Sequence, residues 1–359
     1  LADSPRFASS QDPSIRDRRV DALVNTAVIM QNLQRYPQAT QYYRRVADTV
    51  QDADTKRGAI FSIAMIAFRS RHYNGAIRAF RDFIQRYQSE SAAGELVVEA
   101  QWHIAECYLA QNKQNDYRTA LTETVNLYQR SGQPAGSMAA EYAAHARFLL
   151  VDSGLAPFES FAINPGRPAT MQAYVQGLVA SIDAGANQAT TLKNSYDPIP
   201  DYRRPTWTIA AFVRQGRIYE ILARAVLNTP FVMPGDMQRQ LRSLDEVDRE
   251  DIRTQVEDQV RQVLDSRARP IECLAVVRYS LAARAARAGS LDDEYTRTAI
   301  DRLQTYGDER IAECIAQAQA QDATFQAYQP GEFSRAPHGQ DQNVTPGVGA
   351  PSLATESER

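Results

Sequence analysis

Apolar side chains recur every three or four residues along most of this chain, and nowhere do they alternate with polar ones over the length of a strand. In "RHYNGAIRAFRDFIQRY" (71–87), Tyr73, Ala76, Phe80 and Phe83 share one face of an amphipathic helix, with the smallest side chain in the middle of the aromatic row. Similar helical patterns cover 23–46, 60–83, 101–125 and 138–154. Further on they cover 168–195, 205–228, 237–266, 270–289 and 292–322, with Pro205, Pro230, Pro234 and Pro270 marking their edges. In 237–266, Leu241, Leu244, Val247, Ile252, Val256, Val260 and Val263 form one apolar stripe on an otherwise charged helix. The pattern predicts an all-α protein.

The first third repeats itself. Residues 23–46 align with 60–83 at an offset of 37, matching Ala27 with Ala64, Tyr36 with Tyr73, Ala39 with Ala76 and Tyr43 with Phe80. A third copy begins at "QWHIAECYLAQNKQNDYRTALTETV" (101–125), with Ala105 and Ala120 in the two small positions, and is expected to carry three extra residues in its turn. Small residues there let two helices cross closely while the flanking aromatics fill the space around them. Ala27, Ala39, Ala64, Ala76, Phe80, Ala105 and Ala120 are therefore expected to be packing residues.

The paired small and aromatic positions resemble the tetratricopeptide repeat (TPR), a helix–turn–helix unit that stacks into a superhelix. Alanine replaces the usual glycine of the first helix in all three copies, and Leu23, Ile60 and Gln101 replace the usual tryptophan. The resemblance implies an inner face built from the first helices that takes a peptide. Residues one step off the packing positions are then groove candidates: Asn25, Met30, Ser62, Phe68, Arg69, His103 and Glu106.

Turn-forming residues in 129–137 and "PFESFAINPGRPAT" (157–170) interrupt the repeat pattern. We expect a repeat domain over 1–154, a second helical module over 155–325, and a flexible tail from 326 to 359. The tail is rich in Pro, Gly, Ser and Gln, poor in large apolar residues and expected to bury little.

Composition narrows the function. With 43% apolar residues in 359 there is ample material for cores, and a net charge of −3 gives no basic excess for nucleic acid. No apolar run is long enough to span a bilayer. The opening at Leu1 rather than Met leads us to expect that the native start, with any export signal, lies upstream.

Candidate chemistry is sparse. His72, His103, His145 and His338 form no pair at metal-ligand spacing, so neither metal nor cofactor is expected. Neither a nucleophile elbow nor a glycine-rich phosphate loop occurs. The acids of "LDEVDREDIR" (244–253) and "LDDEY" (291–295) sit early in helices, where carboxylates favour the dipole. No catalytic residue is assigned.

The stretch "YDPIPDYRRPTWTIAAFVRQGRIYEILARAVLNTPFVMP" (196–234), with Trp207, Arg214, Gly216 and Tyr219, resembles large TPR proteins of the deltaproteobacterial cell envelope. Those of the myxobacterial adventurous gliding-motility machinery are an example. Only three of the 40 basic residues are lysines, which fits such a source. The resemblance implies a non-catalytic scaffold binding protein partners in a periplasmic or outer-membrane-associated assembly. The alternatives are an envelope enzyme acting on glycan or peptidoglycan from a site in 155–325, or a cytoplasmic TPR adaptor. Here Gly216 is expected to let two helices touch or a ligand approach, and Trp207 to lie in the core.

Cys273 and Cys314 form a candidate disulfide. Straight antiparallel helices joined near residue 290 would misplace the two by about seven residues, or ~10 Å, beyond the reach of a bond. A kink near Gly307 would close the gap, and an oxidising periplasm would favour the link. Cys107 is expected to stay free in the third repeat.

Overall fold

The computed structural model describes residues 12–333, which form fourteen α-helices, two short 3-10 turns and no strand. Helices α1 (Pro13–Asn32) and α2 (Tyr36–Thr49), α3 (Ala53–Arg69) and α4 (Tyr73–Tyr87), and α5 (Gly94–Ala110) and α6 (Gln114–Ser131) are three stacked hairpins. Asp12 caps α1 and Asp52 caps α3, their carboxylates accepting from the backbone N–H groups of Ser14 (2.9 Å) and Thr55 (2.7 Å).

All three hairpins turn in the same way. The residue that ends the turn of each first helix is left-handed: Gln34 (φ 57°), Arg71 (φ 60°) and Asn112 (φ 57°). Its successor donates back into the helix, Arg35 to the Met30 carbonyl, His72 to Ala67 and Lys113 to Tyr108, at 2.8–3.0 Å. The three extra residues expected in the third turn are not there: Asn112 follows Ala105 by the same interval that separates Gln34 from Ala27 and Arg71 from Ala64. Tyr117 therefore takes the place of Ala39 and Ala76. Ala120 lies nearly one helical turn beyond, buried against α5, with Gln101 donating to its carbonyl (3.2 Å). Ala–aromatic spacing points to Ala120 only because Tyr117 is large; the backbone turn fixes the register instead.

Each crossing is tight. Ala27, Ala39, Ala76 and Ala105 are fully buried, Ala64 nearly so, and the rings of Phe61, Phe80 and Phe83 close around the second crossing with centroids 5.4–5.8 Å apart. Helix α4 buries one face only, through Ala76, Ile77, Phe80, Phe83 and Tyr87. Helix α5 is buried over most of its circumference because α4, α6 and the next first helix, α7 (Met138–Asp152), all pack on it.

The rest of the chain comprises α8 (Leu155–Glu159), α9 (Met171–Tyr196), α10 (Pro205–Leu227), α11 (Gly235–Leu241), α12 (Glu246–Gly289), α13 (Glu294–Tyr306) and α14 (Asp308–Gln321). Packing runs on through the expected border at 154–155, where Phe148 of α7 and Leu155 and Phe158 of α8 share one apolar cluster with Tyr196 of α9 and Leu222 of α10. The irregular stretch that follows α8 is anchored by Ile163, buried against Tyr174 and Leu264.

Three expectations for this half are corrected. Pro270 does not mark a helix edge but lies inside the 44-residue α12. A proline within a helix loses one backbone bond, and packing on both sides holds α12 together there: Leu264 and Ala268 against Tyr174, and Cys273 onward against α14. The pattern 237–266 is split, with α11 ending at Leu241 and α12 starting behind the Asp245 cap. The pattern 292–322 is split at Gly307, whose φ of 77° and ψ of 157° suit glycine. That break swings α14 back along α12, and Cys273 and Cys314 are disulfide-bonded with Cα atoms 4.8 Å apart.

The tail also begins later than expected. Residues 326–333 fold onto α12, where Phe333 is buried, Arg284 pairs with Glu332 at 2.8 Å, and the Tyr328 hydroxyl donates to Asp308 (2.6 Å). Eight residues with one well-placed aromatic and one carboxylate are enough to dock, although the whole segment is poor in large apolar side chains. The remaining tail residues, 334–359 with His338, lie outside the described residues.

Candidate functional site: the inner row of first helices

The first helices α3, α5 and α7 touch one another in succession, and α7 in turn touches α10, while α2, α4 and α6 each reach forward to the following first helix. The first helices therefore form the inner row of the stack. Glu99, His103 and Glu106, spaced i, i+4 and i+7, lie along one face of α5.

His103 is the centre of this face. Its Nδ1 is 2.5 Å from Glu106 Oε2, and its Nε2 is buried, 3.6 Å from Glu99 Oε1 and without a hydrogen-bond partner. The ring stacks on Phe80 (5.5 Å, 24°) and lies 5.0 Å from Phe68 and 6.3 Å from Tyr142. Burial works to lower its pKa, but the hydrogen bond of Glu106 and the charges of Glu106 and Glu99 outweigh burial and raise it. Burial, joined by the charge of Glu99, raises the Tyr142 hydroxyl, so Tyr142 stays neutral beside that carboxylate.

One step along the row, His145 lies between two indoles, stacked on Trp207 at 3.9 Å and 4.5 Å from Trp102. Burial pushes its pKa down to about 4, so the ring is neutral near pH 7. Trp207 is half-buried, and its indole N–H donates to Glu141 (2.7 Å), which Arg204 also engages. Arg214 is bonded to Asp152 (2.7 Å), as is the Tyr196 hydroxyl (2.9 Å). Gly216 is a packing site, with the Tyr279 ring of α12 filling the space a side chain would need.

The other groove candidates are dispersed. Asn25 and Arg69 are exposed, and Met30 packs against the first core. Ser62 spends its hydroxyl on the Gly58 carbonyl (2.8 Å). Phe68 meets His103, the partner of Glu106, on the inner row; Asn25, Met30 and Ser62 do not join that cluster. Glu99 and Tyr142, absent from the candidates, complete it. The i, i+4, i+7 spacing of Glu99 with His103 and Glu106 is the signal that finds the first. No local signal finds Tyr142, which arrives from α7. Cys107 is buried and free, its thiol pushed up to about 12 by burial and then by the charge of Glu106. Among the described residues no group of His, Cys, Asp or Glu could hold a metal ion, and no helix is long and apolar enough to cross a membrane.

Residues 99–131, which span α5 and α6 from Glu99 onward, match the tetratricopeptide repeat family. Among solved structures, a TPR repeats protein from Bacteroides fragilis is similar at 14% identity, over 80% of this chain and 98% of that one, with a TM-score of 0.37. Among curated proteins none matches this chain.

Proposed function

We propose that this chain is a non-catalytic scaffold that holds a peptide segment of a partner protein on the inner row of α3, α5 and α7. The observation that carries the reading is the row itself: three successive first helices, one of them within the TPR match, presenting Phe68, His103, Glu106 and Tyr142 side by side. Rigid aromatic side chains beside polar ones suit an extended or helical peptide. We place the assembly at the bacterial cell envelope, in the periplasm or at the outer membrane, with gliding motility as the process. The Cys273–Cys314 bond supports an oxidising compartment.

Site-specific photo-crosslinking in the native cell tests this reading. A photoreactive residue at position 62 or 69 should capture the partner, whereas one at the exposed position 44 of α2 should not. Capture confined to positions within 155–325 would overturn it.

A further inference from the structure

Charge on the inner row is unevenly used. Glu141 is engaged by Arg204 and Trp207, and Asp152 by Arg214 and Tyr196. Glu99 and Glu106 have no arginine or lysine partner among the described residues; the His103 ring lies between them, and the groups near them are otherwise neutral, the hydroxyls of Tyr142 and Tyr117 and the thiol of Cys107. One imidazole cannot neutralise two carboxylates. Both acids are partly open to solvent, their side chains 26% and 36% exposed, while His103 beneath them is 12% exposed. Aromatic rings flank the pair: Phe68 of α3 and Tyr142 of α7 both face His103. Carboxylates set among aromatic faces suit a cation, which gains from both charge and ring quadrupole. Arginine suits this geometry better than lysine because its flat guanidinium can fork to a carboxylate while lying on a ring.

Resting on the scaffold reading above, we infer that the inner row is a receptor for a basic segment of the partner, with arginine side chains seated on Glu99 and Glu106 between Phe68 and Tyr142. The two acids are seven residues apart on α5, about 10 Å along the helix. A peptide in the polyproline II conformation, with three residues per turn and a rise of about 3.1 Å, puts the side chains of i and i+3 on one face about 9 Å apart, so the matching ligand carries arginines at i and i+3.

The test is fluorescence anisotropy with the full chain and labelled peptides containing Arg-Gly-Gly-Arg, the same peptide with citrulline for arginine, and Glu-Gly-Gly-Glu. Citrulline keeps the planar shape, replaces one N–H2 donor with a carbonyl acceptor and removes the charge. The arginine peptide should bind at least tenfold tighter than the citrulline peptide, and the acidic peptide, which Arg69 would favour, should bind weakest. Glu99→Gln with Glu106→Gln should remove that preference. Glu250→Gln with Asp251→Asn, exposed on α12 and equal in net charge, should leave it within twofold. Equal losses in both double variants would reduce the effect to the net charge of the chain and overturn the inference. Equal binding of the arginine and citrulline peptides to the unmodified chain would overturn it without recourse to any variant. Photo-capture of a partner at 62 or 69 would, in that event, leave the scaffold reading standing, because capture does not depend on the charge of the segment.

Discussion

The Tyr279 ring of α12 occupies the place of a side chain on Gly216 of α10: a Cβ built there would lie 2.8–2.9 Å from three ring atoms. The ring cannot swing aside freely, because its hydroxyl donates to Glu220 (2.9 Å), which itself sits within reach of Arg217 and Arg302. Gly216→Ala gains about 1 kcal/mol in helix propensity but loses more through overpacking, for a net cost of about 1–2 kcal/mol. Urea unfolding measures it; an unchanged or higher midpoint would show that α10 and α12 can separate without loss.

Ala76→Leu puts the same kind of strain on the crossing of α3 and α4. Ala76 is fully buried beside Phe80 and Phe83, so the larger side chain should cost about 1–3 kcal/mol. Tyr117→Ala at the equivalent place in α6 should be milder, because Tyr117 is only half-buried. A mutant at 76 that melts like the parent would refute the hairpin register.

The hairpins were legible because their determinants are local. Small residues at a fixed distance from aromatics declare themselves within a few positions, whereas the Asp245 cap lies inside a stripe that reads as continuous and so escapes notice. What sequence did not show joins distant residues or depends on them. Pro270 reads as a helix edge, yet packing of α12 on α9 and α14 overrides that preference. The stack of Trp102, His145 and Trp207 brings together three separate helices, and Tyr142 reaches Glu99 only through the stacking of α7 on α5. Phe333 and Glu332 lie in a stretch whose average composition hides two good anchors.

Non-reduced peptide mapping should find Cys273 linked to Cys314. Reduction should lower stability by about 4 kcal/mol, the chain-entropy value for a separation of 41 residues. Cys107 should resist alkylation until the chain unfolds, since it is buried and its thiol holds its proton up to about pH 12. Two alkylatable thiols at 273 and 314 in protein taken from its native compartment would remove the main support for the envelope.

Glu332→Gln should destabilise the docking of residues 326–333. Once the carboxylate is gone, Arg284, 12% exposed on its side chain, keeps the carbonyls of Gln326 (2.9 Å) and Ala327 (3.2 Å), the rings of Phe325 and Phe333 and an uncharged amide oxygen. A buried guanidinium without its counter-charge costs about 1–3 kcal/mol here, at the edge of the fold. Hydrogen exchange should show faster opening of residues 326–333 with α5 unaffected; a uniform change along the chain would argue against a local clamp.

His145 should make the fold acid-sensitive. Its ordinary pKa is 6.5 and burial between Trp102 and Trp207 lowers it to about 4. Between those values the unfolded chain binds a proton that the folded chain refuses, so stability falls as pH falls. The loss from pH 7 to pH 5 is about 2 kcal/mol, at about 1.4 kcal/mol for each step of one in pH below the ordinary value and with partial titration near it. His103 has the opposite sign: its raised pKa contributes stability that is complete below 6.5 and disappears as pH rises through the folded value, so it offsets part of the loss near pH 7, equally in parent and variant. Urea unfolding of the parent and of His145→Phe at pH 7 and pH 5 separates this effect from carboxylate titration, which both proteins share. The variant should lose about 2 kcal/mol less than the parent over that interval. Parallel losses would mean that His145 takes up its proton inside the folded protein, and that the two indoles do not keep the charge out.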